Sequence, residues 1–330
     1  MRADLRPGSG AHLGRSRHGH VPGLHAHWPH HIPASGWVRV LGRSARHVLA
    51  ERLLLLSAGV SFFAVLSIAP VLVTALSVYG AVNTPAQARD QLADVAASMP
   101  DDLRAVVVDQ LTTITAASTN IITVRGLAAL VVALWTATAA ASALVDALTL
   151  AYHETETRGL GRRTALALAI VLCVALALGA VLAVIGTVTR ALADAPEVVH
   201  TLTRLVLWVG LSLLLAALLA TLYRFAPDRR QPQWRWTHWG AALATGTWLL
   251  TTAALFAWVR TLGTYSTTYG SLAGVAISMF WLWITVSLVV IGAVVNAEAE
   301  RQTGRDSTVG PARPPGERGA VVADSVPPYD

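Results

Sequence analysis

The chain has 330 residues, of which 54% are hydrophobic and 13% charged, with a mean hydropathy of +0.53. Soluble domains carry about 25% charge, so this composition excludes a disordered chain and a soluble enzyme core. One cysteine, Cys173, excludes an intrachain disulfide, and the formal charge of +6 rests on arginine alone, whose positions matter more than its total.

Residues 1–36 are rich in Arg, His, Gly and Pro and lack the apolar periodicity that buries a core, so a disordered head is expected there. Its histidines (His12, His18, His20, His25, His27, His30 and His31) are unevenly spaced and read as low-complexity sequence rather than a metal site. In residues 37–52, Trp37, Val40, Leu41, Ala45, Val48 and Leu49 fall near helical spacing and alternate with Arg39, Arg43, Arg46 and Arg52. Two readings stand: an interfacial helix that attracts anionic lipid headgroups, or a plain extension of the first span.

Spanning-length apolar runs follow, near residues 53–79, 126–152, 164–189, 205–223, 239–259 and 272–295. Crossing a hydrocarbon core of about 30 Å takes roughly 20 apolar residues in a helix. The first run is too long for the apolar part of a signal peptide, so an uncleaved first span is expected. A closed β-barrel would show alternating segments of about ten residues, whereas residues 165–172 are apolar on every side. The expected fold is all-α: a polytopic membrane domain of six transmembrane helices over residues 37–300, followed by a Pro- and Gly-rich tail, 301–330, expected to be disordered.

Arginine position sets the expected orientation. Of the 25 arginines, 19 lie before residue 53, in 152–163, in 224–238 or after 296, and six lie in the alternate segments. Cytoplasmic segments carry the basic excess, so both termini are placed in the cytoplasm. The segment 80–124 is then extracytoplasmic. It reads as a helical pair broken at Pro100, with Asp101 or Asp102 as an N-cap and Leu103, Val106, Val107, Leu111 and Ile114 on one face. Such a pair packs on its own protein or serves a partner.

Few residues could carry chemistry. Pro70 interrupts the first span and frees the Leu66 carbonyl, as a packing kink or a functional break. Asp146 is an intramembrane acid about two turns from its helix end; it could bind a cation or relay a proton, or be a neutralised structural acid near the interface. On the cytoplasmic face, His153, Glu154 and Arg158 form one cluster with Asn296 and Glu298. A zinc-protease helix needs a second histidine three residues after Glu154, and Thr157 stands there instead, so no metal site is expected. Tyr265 and Tyr269 suit the outer interface, and Gly270 and Gly274 share a helix face that permits close approach. No catalytic constellation, phosphate loop, cofactor site or nucleic-acid surface is expected. The expected partners are the bilayer, anionic headgroups and an unidentified solute or ion.

The pattern resembles the YihY family, also called the virulence factor BrkB family, of bacterial inner-membrane proteins, over roughly residues 37–300. The resemblance is carried by Ser61-Phe62-Phe63-Ala64-Val65-Leu66-Ser67-Ile68-Ala69-Pro70, by residues 152–159, and by Leu222-Tyr223-Arg224-Phe225-Ala226-Pro227. Residues 265–274, Trp281 and Gly292-Ala293-Val294-Val295-Asn296-Ala297-Glu298 complete it, while Thr267 and Thr268 depart from the polar or basic residues of relatives. It implies a six-helix membrane fold in the bacterial cytoplasmic membrane. It implies no assured activity: members carried a ribonuclease label regarded as mistaken, and some are linked to serum resistance or to solute and ion movement. The readings rank as solute or ion transport or export, then a non-transporting envelope or serum-resistance factor, with a membrane ribonuclease far behind.

Overall fold

The computed structural model describes residues 22–82, 119–192, 195–261 and 271–325. Among them the chain forms α1 (Ala34–Ala50), α2 (Leu53–Val82), α3 (Thr119–Ala151), α4 (Leu160–Ala191), α5 (Glu197–Phe225), α6 (Trp234–Thr261), α7 (Ser271–Arg301) and α8 (Val321–Asp324), with one 3-10 turn at Pro29–His31. Six of them, α2 to α7, are long and apolar enough to cross a membrane. They are helices because a segment in lipid must satisfy its backbone internally. The six-helix all-α architecture therefore stands as the composition implies. Its expected outer helical pair, as well as Tyr265, Tyr269 and Gly270, lies outside the described residues.

The spans pack as a row. Helix α2 rests against α3 and α7 at the centre; α4 flanks α3, α6 flanks α7, and α5 flanks α6. Burial is concentrated at one end of this row. Leu53 at the start of α2, Val145 and Leu148 near the end of α3, Leu219 and Tyr223 near the end of α5, Ala241 at the start of α6, and Val290 and Val294 in α7 form one core. Away from that end, Leu176 and Leu182 of α4, Val206 and Trp208 of α5 and Phe280 of α7 are exposed, as lipid-facing residues are.

Close helix approach is built at the buried end. A Cβ on Gly240 would stand 2.5 Å from Asn296 Cγ, and one on Gly292 would stand 2.5 Å from the Tyr223 hydroxyl and 2.8 Å from Ala244 Cβ. The two glycines thus bring α6 and α7 into backbone contact. Asn296 then joins them by accepting the Gly240 N–H at 2.7 Å and donating to the Thr237 carbonyl at 3.0 Å.

Two expectations of disorder give way. The head from residue 22 onward is packed: Ala26 and Ile32 are buried in a small cluster with Val40, Trp236 and Ala299. The tail is folded to residue 325. Arg318 is buried and donates to three backbone carbonyls, of Ala323 at 2.6 Å, Gly304 at 3.0 Å and Arg313 at 3.1 Å. Head and tail are also tied to each other, with Gly304 N–H donating to the Leu24 carbonyl at 2.9 Å and Gln302 to the Pro22 carbonyl at 2.7 Å. Low apolar content misleads here because backbone carbonyls, satisfied by arginine and glutamine donors, replace apolar burial. The first 21 residues, with His12, His18 and His20, lie outside the described residues.

Candidate functional site: a buried ionic network at one end of the bundle

The end of the bundle that is buried is also where the charges gather. Helix α7 has 31 residues and at about 1.5 Å per residue is roughly 46 Å long. Its last turns therefore project beyond a hydrocarbon core of about 30 Å. On them Glu298 and Glu300 are 1% exposed, and a buried carboxylate needs partners.

Glu298 has them from three elements. Arg43 of α1 donates through Nε to Oε2 at 2.6 Å and through Nη2 to the Glu298 carbonyl at 3.0 Å and Gln302 Oε1 at 2.8 Å. His153, just past α3, holds Nε2 2.8 Å from Oε1, and Arg301 donates to the same oxygen at 3.0 Å. With its proton on Nε2, His153 donates to this oxygen; Arg301 Nη1 also lies 3.2 Å from the same nitrogen. His47 of α1 stacks on His153 with ring centroids 4.0 Å apart, and its Nε2 lies 3.2 Å from the Leu150 carbonyl. Burial first, then the neighbouring His153, holds His47 below the usual imidazole value, against the opposing Leu150 carbonyl and Glu298.

The backbone delivers His153 by an unusual route. Helix α3 ends with His153 N–H on the Leu150 carbonyl at 2.9 Å and Glu154 N–H on the Thr149 carbonyl at 3.0 Å. This is the paired-bond ending that normally places glycine in the left-handed region. His153 occupies it at φ 58°, a conformation that costs a non-glycine residue roughly 1–2 kcal/mol. The side chain is held where it is needed at the expense of backbone comfort.

Beside this network stands a second one. Glu300 accepts from Arg229 at 2.8 Å and from the Ser307 hydroxyl at 2.5 Å, and the Arg229 guanidinium lies 4.3 Å over the Tyr152 ring. The loops join in turn. Thr157 donates its N–H at 2.7 Å and its hydroxyl at 2.6 Å to Asp228, and Arg158 donates to the Ala226 carbonyl at 2.8 Å and to Glu156. Partial burial opposes ionisation of Asp228, but the Thr157 donors outweigh it and hold the carboxyl below its usual range. Glu154 accepts the Val321 N–H at 2.7 Å, and burial pushes its carboxyl up.

The five residues read as one cytoplasmic cluster are thus divided. His153 and Glu298 meet directly. Glu154 receives the tail, Arg158 locks two loops, and Asn296 joins α6 to α7. Asp146 does not join them: Arg163, in the first turn of α4, donates to it. Pro70 sits half-buried inside an unbroken α2, with Thr74 Oγ1 donating to its carbonyl at 2.8 Å. Sequence reading missed Arg43, His47, Arg229 and Gln302 as members because their partners are distant in sequence, and Ser307 because it meets Glu300 from the tail expected to be disordered; only the acid-bearing end of an apolar helix signalled that cations must answer it. Among the described residues no three His, Cys, Asp or Glu side chains converge as metal ligands.

The profile of the family described as Virulence factor BrkB matches residues 44–317. The chain belongs to that family. The match runs past residue 300 and takes in most of the folded tail. Among curated relatives, this BrkB-family chain is 28% identical over 174 residues to the ribonuclease-like protein YfkH of Bacillus subtilis (strain 168), covering 51% of the chain and 63% of the relative. It is 29% identical over 252 residues to a UPF0761 membrane protein of Verminephrobacter eiseniae (strain EF01-2), covering 75% of the chain and 59% of the relative. The chain therefore spans about three fifths of the length of these relatives. No solved structure matches it. Family and spans together make it a multi-pass membrane protein of the bacterial cytoplasmic-membrane type.

Proposed function

We propose that the protein moves a polar solute or an ion across the cytoplasmic membrane, with the ionic network closing the inner end of its path. One observation carries this reading. Thr149 Oγ1, Thr245 Oγ1 and Ser287 Oγ are buried inside spans α3, α6 and α7 without a hydrogen-bond partner. Ser57, Ser61 and Thr136 show the easy alternative, each donating to the carbonyl four residues back at 2.7–2.9 Å. An unsatisfied buried hydroxyl costs about 1–3 kcal/mol, and polar groups at membrane depth mark pathways for water or cargo. The three hydroxyls are suited to line such a path.

This reading takes the network end as cytoplasmic, in keeping with the arginine distribution. Hydrolysis fits the arrangement poorly, since Arg43, His153 and Arg301 already engage both oxygens of Glu298 and occupy three of its roughly four lone-pair sites. The ribonuclease-like name belongs to the Bacillus relative.

The test is flux in proteoliposomes loaded with ions, polyamines or osmolytes, comparing wild type with Thr245→Val/Ser287→Ala. Flux in the wild type that falls severalfold in the variant, at equal insertion, is the expected result. Absence of flux for every class, or equal flux in the variant, overturns the reading.

A further inference from the structure

Helix α1 is not a continuation of the first span. It ends at Ala50, and the chain turns through Glu51 and Arg52, the latter at φ 52° in the left-handed region, before α2 starts at Leu53. Its contacts run across the bundle end rather than along one helix. Trp37 near its start packs on Trp239 of α6, with ring centroids 6.4 Å apart. Arg43 in the middle reaches Glu298 of α7, and His47 near the end reaches Leu150 of α3. All three partners lie at the same end of their spans, so α1 crosses that end in the membrane plane.

The packed face of α1 is Gly36, Val40, Ser44, His47 and Val48. Its other face is exposed and apolar. Val38 is 71% exposed, Leu41 51% and Leu49 71%; with Ala45 they repeat at intervals of three and four residues. Arg39 and Arg46 are exposed on the same helix and pair with no carboxylate among the described residues. An exposed apolar stripe beside unpaired cations, held at interface depth by a two-residue link to a span, suits a surface that is apolar below and anionic above.

We propose that the outer face of α1 docks on the cytoplasmic leaflet and recognises anionic phospholipid, with Leu41 and Leu49 in the acyl boundary and Arg39 and Arg46 at the phosphates. Because Arg43 and His47 lie on the opposite face of the same rigid helix, headgroup charge is thereby linked to the Glu298 network. Each arginine at an anionic surface strengthens attachment about fivefold. This docking stands apart from the transport reading and survives its failure.

The experiment uses the full chain in a Cys173→Ala background, with a spin label at Leu41→Cys or Leu49→Cys, in nanodiscs of phosphatidylcholine alone or mixed with phosphatidylglycerol. Collision with oxygen reports lipid and collision with a nickel chelate reports water. In phosphatidylglycerol discs both labels should favour oxygen; in phosphatidylcholine discs, and for Arg39→Gln/Arg46→Gln in either, they should move severalfold toward nickel. The arginine variant is on exposed positions, and its elution as a single species checks folding. Labels in water in both lipids, equal burial regardless of lipid charge, or short label-to-label distances between two copies would each overturn the proposal.

Discussion

Arg43 Nε lies 2.6 Å from Glu298 Oε2, joining residues 255 positions apart and fastening a transverse helix to the end of a spanning one. The pair sits at the only described contact that also receives His153, Arg301 and Gln302, so α1, α3 and α7 share one carboxylate.

Removing that carboxylate strands two guanidinium groups. Arg43 and Arg301 are 16% and 18% exposed at the side chain, so water reaches them only in part. Losing one partner of a buried pair costs about 3–5 kcal/mol. Glu298→Ala should therefore destabilise the protein by about 3 kcal/mol, and Glu298→Gln, which still accepts hydrogen bonds, by less. Thermal or denaturant unfolding in detergent checks the order. Protease sensitivity of the head and tail should rise in parallel, since Gln302 ties both to the same helix end.

The left-handed His153 separates backbone cost from side-chain gain. His153→Ala keeps the strain at φ 58° and loses the contact with Glu298. His153→Gly loses the contact and removes the strain, against a larger unfolded-state entropy. His153→Gly should be about 1 kcal/mol more stable than His153→Ala, and both less stable than wild type. Equal stabilities for the two variants would show that the turn is not strained.

The pH dependence has a definite sign. His47 is depressed in the folded protein by burial and by His153. Above the unfolded value of about 6.5 neither state is charged and nothing is lost. As pH falls below it, the unfolded chain binds a proton that the folded site resists, so stability falls until the folded pKa is reached. The groups facing His47 are His153, Glu298 and Glu51, with the Leu150 carbonyl. Glu154, raised by burial, acts in the opposite direction, nearer the carboxylate range. Midpoints measured between pH 8 and 5.5 should decline in wild type and flatten in His47→Gln.

How much of this was legible follows from where each signal resides. Spans are written locally, in uninterrupted apolar runs, and all six were readable. The site was half readable: burying acids at the end of α7 demands cations, but nothing near Glu298 in sequence names Arg43 or His153 as the donors. The tail was misread because Arg318 folds it through backbone carbonyls, and composition does not record carbonyl partners. Glycine spacing misdirected in another way. Gly270 and Gly274 drew notice by their interval of four, whereas the described close approach pairs Gly240 with Gly292 on different helices, an interval no single-helix pattern contains.

That approach can be tested directly. Ala at position 240 would place its Cβ against Asn296 and the Gly292 backbone, and Ala at 292 would meet the Tyr223 hydroxyl and the Gly240 carbonyl. The obstacles include backbone on both sides, so a side-chain rotation does not relieve them and the helices must separate. Overpacking of this kind costs about 1–3 kcal/mol. Separation would also lengthen the Gly240 N–H contact with Asn296, now 2.7 Å, and leave a buried amide unpaired. Gly240→Ala and Gly292→Ala should each lower the unfolding midpoint by more than Gly246→Ala, a position in α6 where an added Cβ meets nothing within 4 Å. Gly246→Ala should be neutral or slightly stabilising, since alanine is the better helix former. A uniform response at the three positions would mean that α6 and α7 are not in backbone contact, and the Asn296 bridge between them would go with it.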